Sequence, residues 1–335
     1  MGTIIDRIEY AFPKNIITNQ DLKNEFPDYD FIKFEKKVGI KSRYVVSKNE
    51  TALDLSVRAC EKIFEGNFDK NEIDFILLCT QSPEYILPTT ACLLQDKLSL
   101  RKDIGALDFN LGCSGYTYGL SLASSLIESN QAKKVLLVTT ETYSKFIHKK
   151  DRSNRSIFGD AATATIISHC ETTNIGNFLF GSDGGGFDKL IVRNGGSRNK
   201  LDINCQTKSY GTKNEYTDNH LYMNGPEVFN FTANVIPNFT KKLLIKNDLN
   251  VDQINQYIFH QANAFMLNFL RKRIKIKIKN FYIDLENYGN TVSCTIPIAL
   301  KDYSQKITSA EKIMLVGFGV GLSWCGGLVK INKPL

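Results

Sequence analysis

Three segments in the second half of the chain resemble three segments in the first half, in the same order and at similar spacing. The matches pair residues 69–78 (DKNEIDFILL) with 251–260 (VDQINQYIFH), 108–113 (DFNLGC) with 284–290 (DLENYGN), and 134–138 (KVLLV) with 312–316 (KIMLV). Lys134 lies 21 residues after Cys113, and Lys312 lies 22 residues after Asn290. Each match alone is weak, but three in one order indicate an internal duplication.

A duplicated chain of 335 residues predicts an α/β protein with two similar halves, in which helices are layered against mostly parallel sheets. We assign the halves to residues 1–175 and 176–335, because residues 181–220 are polar and rich in Gly, Asn and Lys. Loops that are equivalent by the duplication should converge at one place. The turns after Cys113, His260 and Asn290 are therefore expected to meet.

Composition excludes several classes of function. A hydrophobic content of 42% with 23% charged residues is ordinary for a globular protein, and a formal charge of +7 is too small to indicate nucleic-acid binding. No apolar run approaches the roughly 20 residues that span a bilayer, and the N-terminus lacks the pattern of a secretion signal. The eight cysteines have no C-x-x-C spacing. These features favour a cytoplasmic protein with reduced thiols, no membrane segment and no metal site.

Cys113 lies in the turn Leu-Gly-Cys-Ser-Gly, between an apolar run typical of a buried strand (residues 104–109) and a helical pattern. Gly112 and Gly115 permit a backbone bend that a β-carbon would obstruct. The helix directs its unpaired N–H groups and positive dipole end at the sulfur, which should lower the pKa of the thiol. This arrangement suits a nucleophile. Taken alone, the turn is more typical of a small buried residue with a structural role.

His260 follows an apolar strand, and Asn290 follows Gly289 in a second strand-to-helix turn. A histidine or asparagine at a turn is usually structural, but the duplication places both with Cys113. A thiolate can attack an acyl carbonyl and hold the acyl group covalently. An imidazole N–H and a carboxamide N–H aimed at one point would stabilise an oxyanion there. Because no carboxylate partner is evident, the set favours chemistry through an enolate over that of a cysteine protease.

A glycine-rich segment at residues 317–324 (GFGVGLSW) lies between two late strands. Its glycines would let backbone N–H groups near Gly319 and Val320 approach an acyl oxygen, forming an oxyanion hole with the amide of Cys113. A tight hairpin with no role in chemistry is the alternative.

The most basic stretch of the chain is residues 271–279 (RKRIKIKIK). From Ile274 the alternation of Ile and Lys predicts a strand with lysines on one face. Such a face would attract an acidic partner, but it is also typical of a solvated edge strand whose lysines prevent aggregation.

These motifs together resemble the β-ketoacyl-acyl-carrier-protein synthase III family of the thiolase superfamily. The resemblance extends over almost the whole chain and includes GCSG at Cys113, DRSNRSIFGDAATA from Asp151, MNGPEVF from Met223, HQAN from His260, NYGNTVS from Asn287 and GFGVGLSW from Gly317. It implies the duplicated thiolase-like fold, with two β/α halves in an α-β-α-β-α arrangement, and a homodimer.

The resemblance also implies a reaction. Cys113 takes an acyl group from acyl-CoA, which is a substrate; no cofactor is permanently bound. Malonyl carrier protein then loses carbon dioxide, and His260 and Asn290 hold the resulting enolate while it attacks the acyl-cysteine to give a 3-oxoacyl product. Phe318 matches an aromatic residue near the cysteine, thought to aid decarboxylation. Contacts with CoA are expected from Arg152, Gly225, Ala262 and Asn263, and contacts with an acyl carrier protein from Lys272, Arg273, Lys275 and Lys277.

Several positions depart from the family pattern. Residues 28–40 contain no tryptophan to oppose Arg152 across the adenine, and Phe31 and Phe34 are the candidates to substitute for it. Phe265 replaces an arginine that contacts the carrier protein, and Pro226 stands where an asparagine is common. Leu87 replaces an aromatic residue of the partner subunit that closes the acyl pocket. The catalytic set is therefore retained, whereas the handling of CoA and carrier protein points to a specialised relative.

Three alternative functions follow from the same residues. Hydroxymethylglutaryl-CoA synthase, a sister family, needs a carboxylate base where this chain has Gln81, so that activity is disfavoured. Cys113 could instead transfer its acyl group to an amine or hydroxyl, with His260 as general base. A non-catalytic partner subunit could also retain the fold.

Overall fold

The computed structural model describes residues 2–66 and 68–335. The strands are β1 (Gly2–Ala11), β2 (Asn15–Thr18), β3 (Ser42–Val45), β4 (Phe75–Cys79), β5 (Gly105–Phe109), β6 (Lys134–Glu141), β7 (Ala161–Cys170), β8 (Ile175–Ser182), β9 (Leu190–Val192), β10 (Lys208–Tyr210), β11 (Asn214–Tyr216), β12 (Leu221–Met223), β13 (Gln256–Phe259), β14 (Phe281–Tyr282), β15 (Glu311–Gly319) and β16 (Ser323–Ile331).

The α-helices are α1 (Asn19–Glu25), α2 (Phe31–Val38), α3 (Ala52–Ile63), α4 (Thr90–Lys97), α5 (Gly115–Glu128), α6 (Arg152–Ile157), α7 (Gly225–Lys246), α8 (Ala264–Ile274) and α9 (Thr295–Ser304). Capping residues in the sequence determine where several of these helices begin. The hydroxyl of Thr51 accepts a hydrogen bond from the Asp54 N–H, and the Asp54 carboxylate accepts from the Thr51 N–H, so α3 begins with a capping box.

Two five-stranded sheets form the body of the molecule. Their strand orders are β1-β7-β6-β4-β5 and β8-β16-β15-β13-β14. Helices α5 and α9 pack between the sheets, α3 and α4 cover the first sheet, and α7 and α8 cover the second. The residues Val135–Val138 of β6 are fully buried because helices cover both faces of the sheet at that strand. The result is the layered α-β-α-β-α arrangement expected from the sequence.

The duplication is confirmed by the strand orders, because each strand of the first sheet has a counterpart at the same place in the second. The three sequence matches fall on β4 with β13, on the turns after β5 and β14, and on β6 with β15. The strands of the first sheet lie within residues 2–170, and those of the second within 175–331. We keep a division of the chain near residue 175 as a proposal.

Two details of the predicted fold are wrong. Each sheet has two parallel and two antiparallel pairings, so neither is mostly parallel. The basic stretch forms no strand from Ile274: it contains the last turn of α8, which Lys275 ends in a left-handed conformation. The Ile276 N–H then donates to the Arg271 carbonyl, as at many helix C-termini, where basic side chains also favour the helix dipole. No helix in the described ranges is long and apolar enough to cross a membrane.

Candidate active site

Cys113 lies in the turn between β5 and α5, two residues before the helix begins. Its side chain is buried. The turn is closed by a 2.8 Å hydrogen bond from the Gly115 N–H to the Gly112 carbonyl. Gly112 is required for close packing, since a β-carbon there would lie 2.5 Å from Val320 Cγ1 and 2.7 Å from Gln81 Oε1. Cys113 thus stands just before the N-terminus of α5 as the sequence predicts, but the N–H groups that lower its pKa belong to Val320 and Cys113 and not to the helix.

The glycine-rich segment packs directly against the sulfur. It spans the end of β15, a turn and the start of β16. A β-carbon on Gly319 would lie 2.7 Å from Cys113 Sγ, so only glycine allows this approach. The backbone N–H groups of Val320 and of Cys113 itself lie near the sulfur and lower the pKa of the thiol. Two backbone donors thus converge where an acyl oxygen on Cys113 would lie.

The predicted lowering of the Cys113 pKa is wrong for the unliganded protein. Burial, and to a lesser extent the nearby Glu141 carboxyl group, raise the pKa of the thiol to about 12 against the effect of the two N–H groups. The thiol is therefore neutral at rest. Its proton must be removed as an acyl donor binds.

His260 follows β13 directly, and its backbone N–H donates to the Val316 carbonyl of β15. Burial lowers the pKa of its imidazole to about 3, so the ring is neutral at physiological pH. Nδ1 lies 2.7 Å from the hydroxyl of Thr295, which also lies 3.0 Å from the Val292 carbonyl.

The single Thr295 hydroxyl proton decides what Nε2 of His260 can do. When Thr295 donates this proton to the Val292 carbonyl, its oxygen accepts a hydrogen bond from Nδ1–H of His260. Nε2 then carries no proton and can act as a base. When Thr295 instead donates this proton to Nδ1, the proton of the neutral ring is on Nε2, which is then a hydrogen-bond donor. The bond thus holds the ring and allows either role.

Asn290 is buried in the turn between β14 and α9, next to Gly289 in the left-handed region (φ 68°). Its backbone N–H donates to the Ile157 carbonyl, and its carbonyl accepts from the Gly159 N–H. The side-chain oxygen accepts from the Val292 N–H at 2.9 Å. That bond fixes the orientation of the amide and leaves its NH₂ group available as a donor.

One cavity of about 130 Å³ brings the three residues together. Residues expected from the sequence account for half of its lining: Cys113, Gly225, His260, Ala262, Asn263, Asn290, Phe318 and Gly319. The ring of Phe318 lies edge-to-face with that of His260, with centroids 5.7 Å apart. The lining residues that sequence reasoning missed are Ile157, Phe158, Leu190, Met223, Val228, Thr232 and Met266. Four of them, Ile157, Phe158, Met223 and Val228, lie within the quoted motifs but carry no chemical group that marks them, and Leu190, Thr232 and Met266 lie outside those motifs.

Comparisons with known proteins agree with this geometry. Residues 107–184 match the family model described as 3-oxoacyl-[acyl-carrier-protein (ACP)] synthase III, and residues 244–331 match the model of its C terminal. A beta-ketoacyl-[acyl-carrier-protein] synthase III of Clostridium perfringens is 35% identical over 95% of this chain and 96% of its own.

Solved structures of similar proteins carry the same family description. A crystal structure of a 3-oxoacyl-(acyl-carrier-protein) synthase III matches with a TM-score of 0.95 and 42% identity, over 98% of this chain and 99% of the other. A 3-oxoacyl-(acyl-carrier protein) synthase of Burkholderia xenovorans matches with a TM-score of 0.89 and 32% identity, over 100% and 95%. The chain belongs to the 3-oxoacyl-[acyl-carrier-protein] synthase III family.

In this synthase III family member Arg152 begins α6 outside the cavity lining, with its guanidinium carbon 3.7 Å from the centroid of the Tyr29 ring. Phe31 and Phe34 are buried in the core instead, so neither substitutes for the missing tryptophan. Asn263 lines the cavity as the N-cap of α8, where its side-chain oxygen accepts from the Met266 N–H.

The remaining predicted residues lie on the surface. Leu87 is 79% exposed, in the loop between β4 and α4, and does not line the cavity of its own chain. The basic residues at the end of α8 and just beyond it are all exposed, namely Lys272, Arg273, Lys275 and Lys277. Lys277 forms an ion pair with Asp252 at 2.8 Å.

A buried carboxyl group, Glu141 at the end of β6, is a feature of this family member that the sequence did not reveal. It accepts hydrogen bonds from the Gln81 N–H, the Ser82 hydroxyl and the Ser293 hydroxyl. It thereby joins the loop after β4 to the turn that carries Asn290. Burial raises the pKa of Glu141 to about 8.

We expect the Glu141→Gln variant to lose much of the pH dependence of stability. In the folded protein Glu141 stays protonated up to about pH 8, whereas in the unfolded chain it ionises near pH 4.3. The unfolded chain therefore binds fewer protons between these values, and the free energy of unfolding falls as pH rises from about 4 to 8. Urea unfolding at pH 5 and pH 8.5 should show a difference on the order of a few kcal/mol that glutamine reduces. Exposed Glu61→Gln is the control, and an equal pH dependence in all three proteins would contradict the assignment.

Proposed function

We propose that this protein is a condensing enzyme that loads an acyl group from acyl-CoA onto Cys113 and joins it to malonyl-acyl-carrier protein with loss of carbon dioxide. The observation that carries the proposal is the single cavity lined by Cys113, His260 and Asn290. The names of the relatives support it, since they are 3-oxoacyl-acyl-carrier-protein synthases III. The broader class is a transferase, and transfer of the acyl group to Cys113 is the acyltransferase step.

In the first half-reaction the Cys113 sulfur attacks the thioester carbonyl, and the CoA thiol leaves. The carbonyl oxygen becomes an oxyanion that the N–H groups of Val320 and Cys113 stabilise. Because the thiol is neutral at rest, neutral His260 takes its proton at Nε2 and passes it to the departing CoA sulfur. The acyl group ends as a thioester on Cys113.

In the second half-reaction malonyl-acyl-carrier protein loses carbon dioxide and becomes an enolate. The enolate oxygen accepts hydrogen bonds from the Asn290 NH₂ group and from Nε2–H of His260, whose ring the Thr295 hydroxyl then supports at Nδ1. The enolate carbon attacks the acyl-cysteine carbonyl, a carbon–carbon bond forms, and the Cys113 thiolate leaves. Phe318 against His260 keeps this end of the cavity apolar, which favours loss of a charged carboxylate.

CoA would reach Cys113 through the part of the cavity lined by Gly225, Ala262 and Asn263. The Asn263 oxygen is engaged in the helix cap, so its NH₂ group is the part available to pantetheine. Arg152 and Tyr29 together offer a cationic and aromatic surface for the adenine end.

A homodimer is the second part of the proposal. Strand β5 is a sheet edge that pairs only with β4 among the described residues, and its Leu107 is 49% exposed. The neighbouring loop exposes Tyr85, Ile86 and Leu87, and it is tied to β5 by the Thr90 N–H, which donates to Asp108. An apolar edge of this kind favours pairing with a second copy. Leu87 would then reach the acyl pocket of the other subunit.

The direct test is incubation with acyl-CoA and malonyl-acyl-carrier protein labelled in the carboxyl carbon. We expect release of labelled carbon dioxide that depends on both substrates, together with a 3-oxoacyl carrier protein. Acyl transfer to an amine or hydroxyl with no need of the malonyl group would contradict condensation. Absence of any acyl adduct on Cys113 would leave a binding subunit as the better description.

The exposed basic residues at the end of α8 and just beyond it are proposed to dock the acidic carrier protein. We expect the Lys272→Glu/Arg273→Glu variant to raise the KM for malonyl-acyl-carrier protein about tenfold at low salt, less at high salt, and to leave acyl-CoA loading unchanged. The control is Lys102→Glu/Lys133→Glu, on exposed residues just before β5 and β6, at the ends of those strands opposite Cys113. A loss of acyl-CoA loading in the first variant, or an equal effect in both, would contradict docking at this surface.

A further inference from the structure

Behind Cys113 lies a buried apolar cluster that contains one polar tip, the hydroxyl of Tyr143. The other buried members of the cluster are Cys113, Phe158, Leu190, Leu221 and Val292. Tyr143 follows β6 directly and is 3% exposed. An acyl group on Cys113 must fit among these side chains, so their size limits what the cysteine can carry.

The Tyr143 ring is held in place through its hydroxyl. Its hydroxyl donates to Gln81 Oε1 at 2.5 Å, and Gln81 Nε2 donates to Asn110 Oδ1 at 2.9 Å. Gln81 Oε1 in turn lies against Gly112, 2.7 Å from where a β-carbon would stand. Burial raises the pKa of the phenol well above its ordinary value, so the hydroxyl remains a donor at all physiological pH values.

The ring also supports the wall of the cavity. Its centroid lies 5.3 Å from that of Phe158, which lines the cavity together with Leu190. Tyr143 itself does not line the cavity. It therefore fills space that a longer acyl chain would enter on passing Phe158 and Leu190.

We propose that Tyr143 is a specificity-determining residue, which sets the upper length of the acyl group that Cys113 accepts. The inference rests on the proposed function, because it assumes that Cys113 is acylated by acyl-CoA. A longer chain must displace the phenol ring, and this breaks the bond to Gln81 and leaves the buried Tyr143 hydroxyl unpaired. A short chain leaves the bond intact.

The experiment measures loading of Cys113 by intact-protein mass spectrometry with acyl-CoA donors of two to ten carbons. Wild type should load acetyl at least tenfold faster than octanoyl. In Tyr143→Leu, which opens the space, the ratio of octanoyl to acetyl loading should rise at least tenfold. Tyr143→Phe keeps the ring but loses the hydrogen bond, and should give a smaller shift in the same direction. The control is Tyr303→Leu, which removes a half-buried tyrosine bonded to Glu311 outside this cluster.

Each result is decisive. Equal chain-length profiles in wild type and both Tyr143 variants would overturn the inference while leaving the proposed function intact, since Cys113 is still acylated. No loading of wild type by any donor would overturn both. If Tyr143→Leu does not fold, the profile of Tyr143→Phe decides, because that substitution changes only one oxygen atom.

Discussion

Replacement of Cys113 by alanine is expected to abolish the acyl adduct and to reduce condensation by about four orders of magnitude or more. No other group in the described cavity lining is a thiol or hydroxyl nucleophile within the converging N–H groups of Val320 and Cys113. Thr232 also lines the cavity, but it lies in α7 and its hydroxyl donates to the Val228 carbonyl. The measurement is intact-protein mass spectrometry after mixing with acyl-CoA, followed by peptide mapping of any adduct.

The control must account for Cys170, which lies near the surface and whose thiol pKa is shifted in the opposite direction to that of Cys113. Hydrogen bonds from Thr172 lower the pKa of the Cys170 thiol, so a reactive thioester could label it without catalysis. Cys170→Ser should keep full condensing activity. An adduct that persists in Cys113→Ala but disappears in Cys170→Ser would mean that loading on Cys113 had been misassigned.

The parts of the fold that could be predicted are those encoded by local pattern and by repetition. The matched segments at β4 and β13 and at β6 and β15 are apolar runs flanked by similar residues, so the duplication was visible without coordinates. The meeting of Cys113, His260 and Asn290 then followed from symmetry alone. Each lies in the segment that follows a strand, where the duplicated halves place equivalent loops.

The parts that could not be predicted depend on contacts between distant segments. The alternation of Ile and Lys from Ile274 has the period of a strand, but the stretch is the end of a helix, because Ile274 and Ile276 are buried through a helix cap. Leu190 comes from a polar excursion, and no nearby pattern marks it as a neighbour of Cys113. In the sequence Glu141 resembles any residue at the end of a strand, because the two serines that donate hydrogen bonds to it are distant in the chain.

The pKa of Cys113 was predicted in the wrong direction for the same reason. A helix N-terminus can be recognised in the sequence, but the burial of the sulfur cannot. The cost of burying a thiolate exceeds the stabilisation by the two N–H groups. In the proposed mechanism His260 activates the nucleophile, since its imidazole is neutral at physiological pH and Nε2 can be free to accept the thiol proton.

The second large effect is expected from Asn290→Ala, which should load acyl-CoA at a near-normal rate but condense about 10² to 10³ times more slowly. In the proposed mechanism the Asn290 NH₂ group donates to the enolate and has no part in the attack of sulfur on acyl-CoA, where backbone N–H groups hold the oxyanion. Loading is measured by mass spectrometry in a single turnover, and condensation by release of labelled carbon dioxide.

The alanine variant also loses the bond from the Val292 N–H, and Val292 leads through Thr295 to His260. Asn290→Asp separates the two effects, because aspartate still accepts from Val292 but offers no donor to the enolate and adds a negative charge beside it. If the role of Asn290 is to hold the enolate, Asn290→Asp condenses no faster than Asn290→Ala. If Asn290 only shapes the turn, Asn290→Asp restores condensation, and the enolate role must be given to His260 alone. Equal loss of loading and condensation in both variants would contradict the assignment of the backbone N–H groups to the loading step and of the Asn290 NH₂ group to the condensation step.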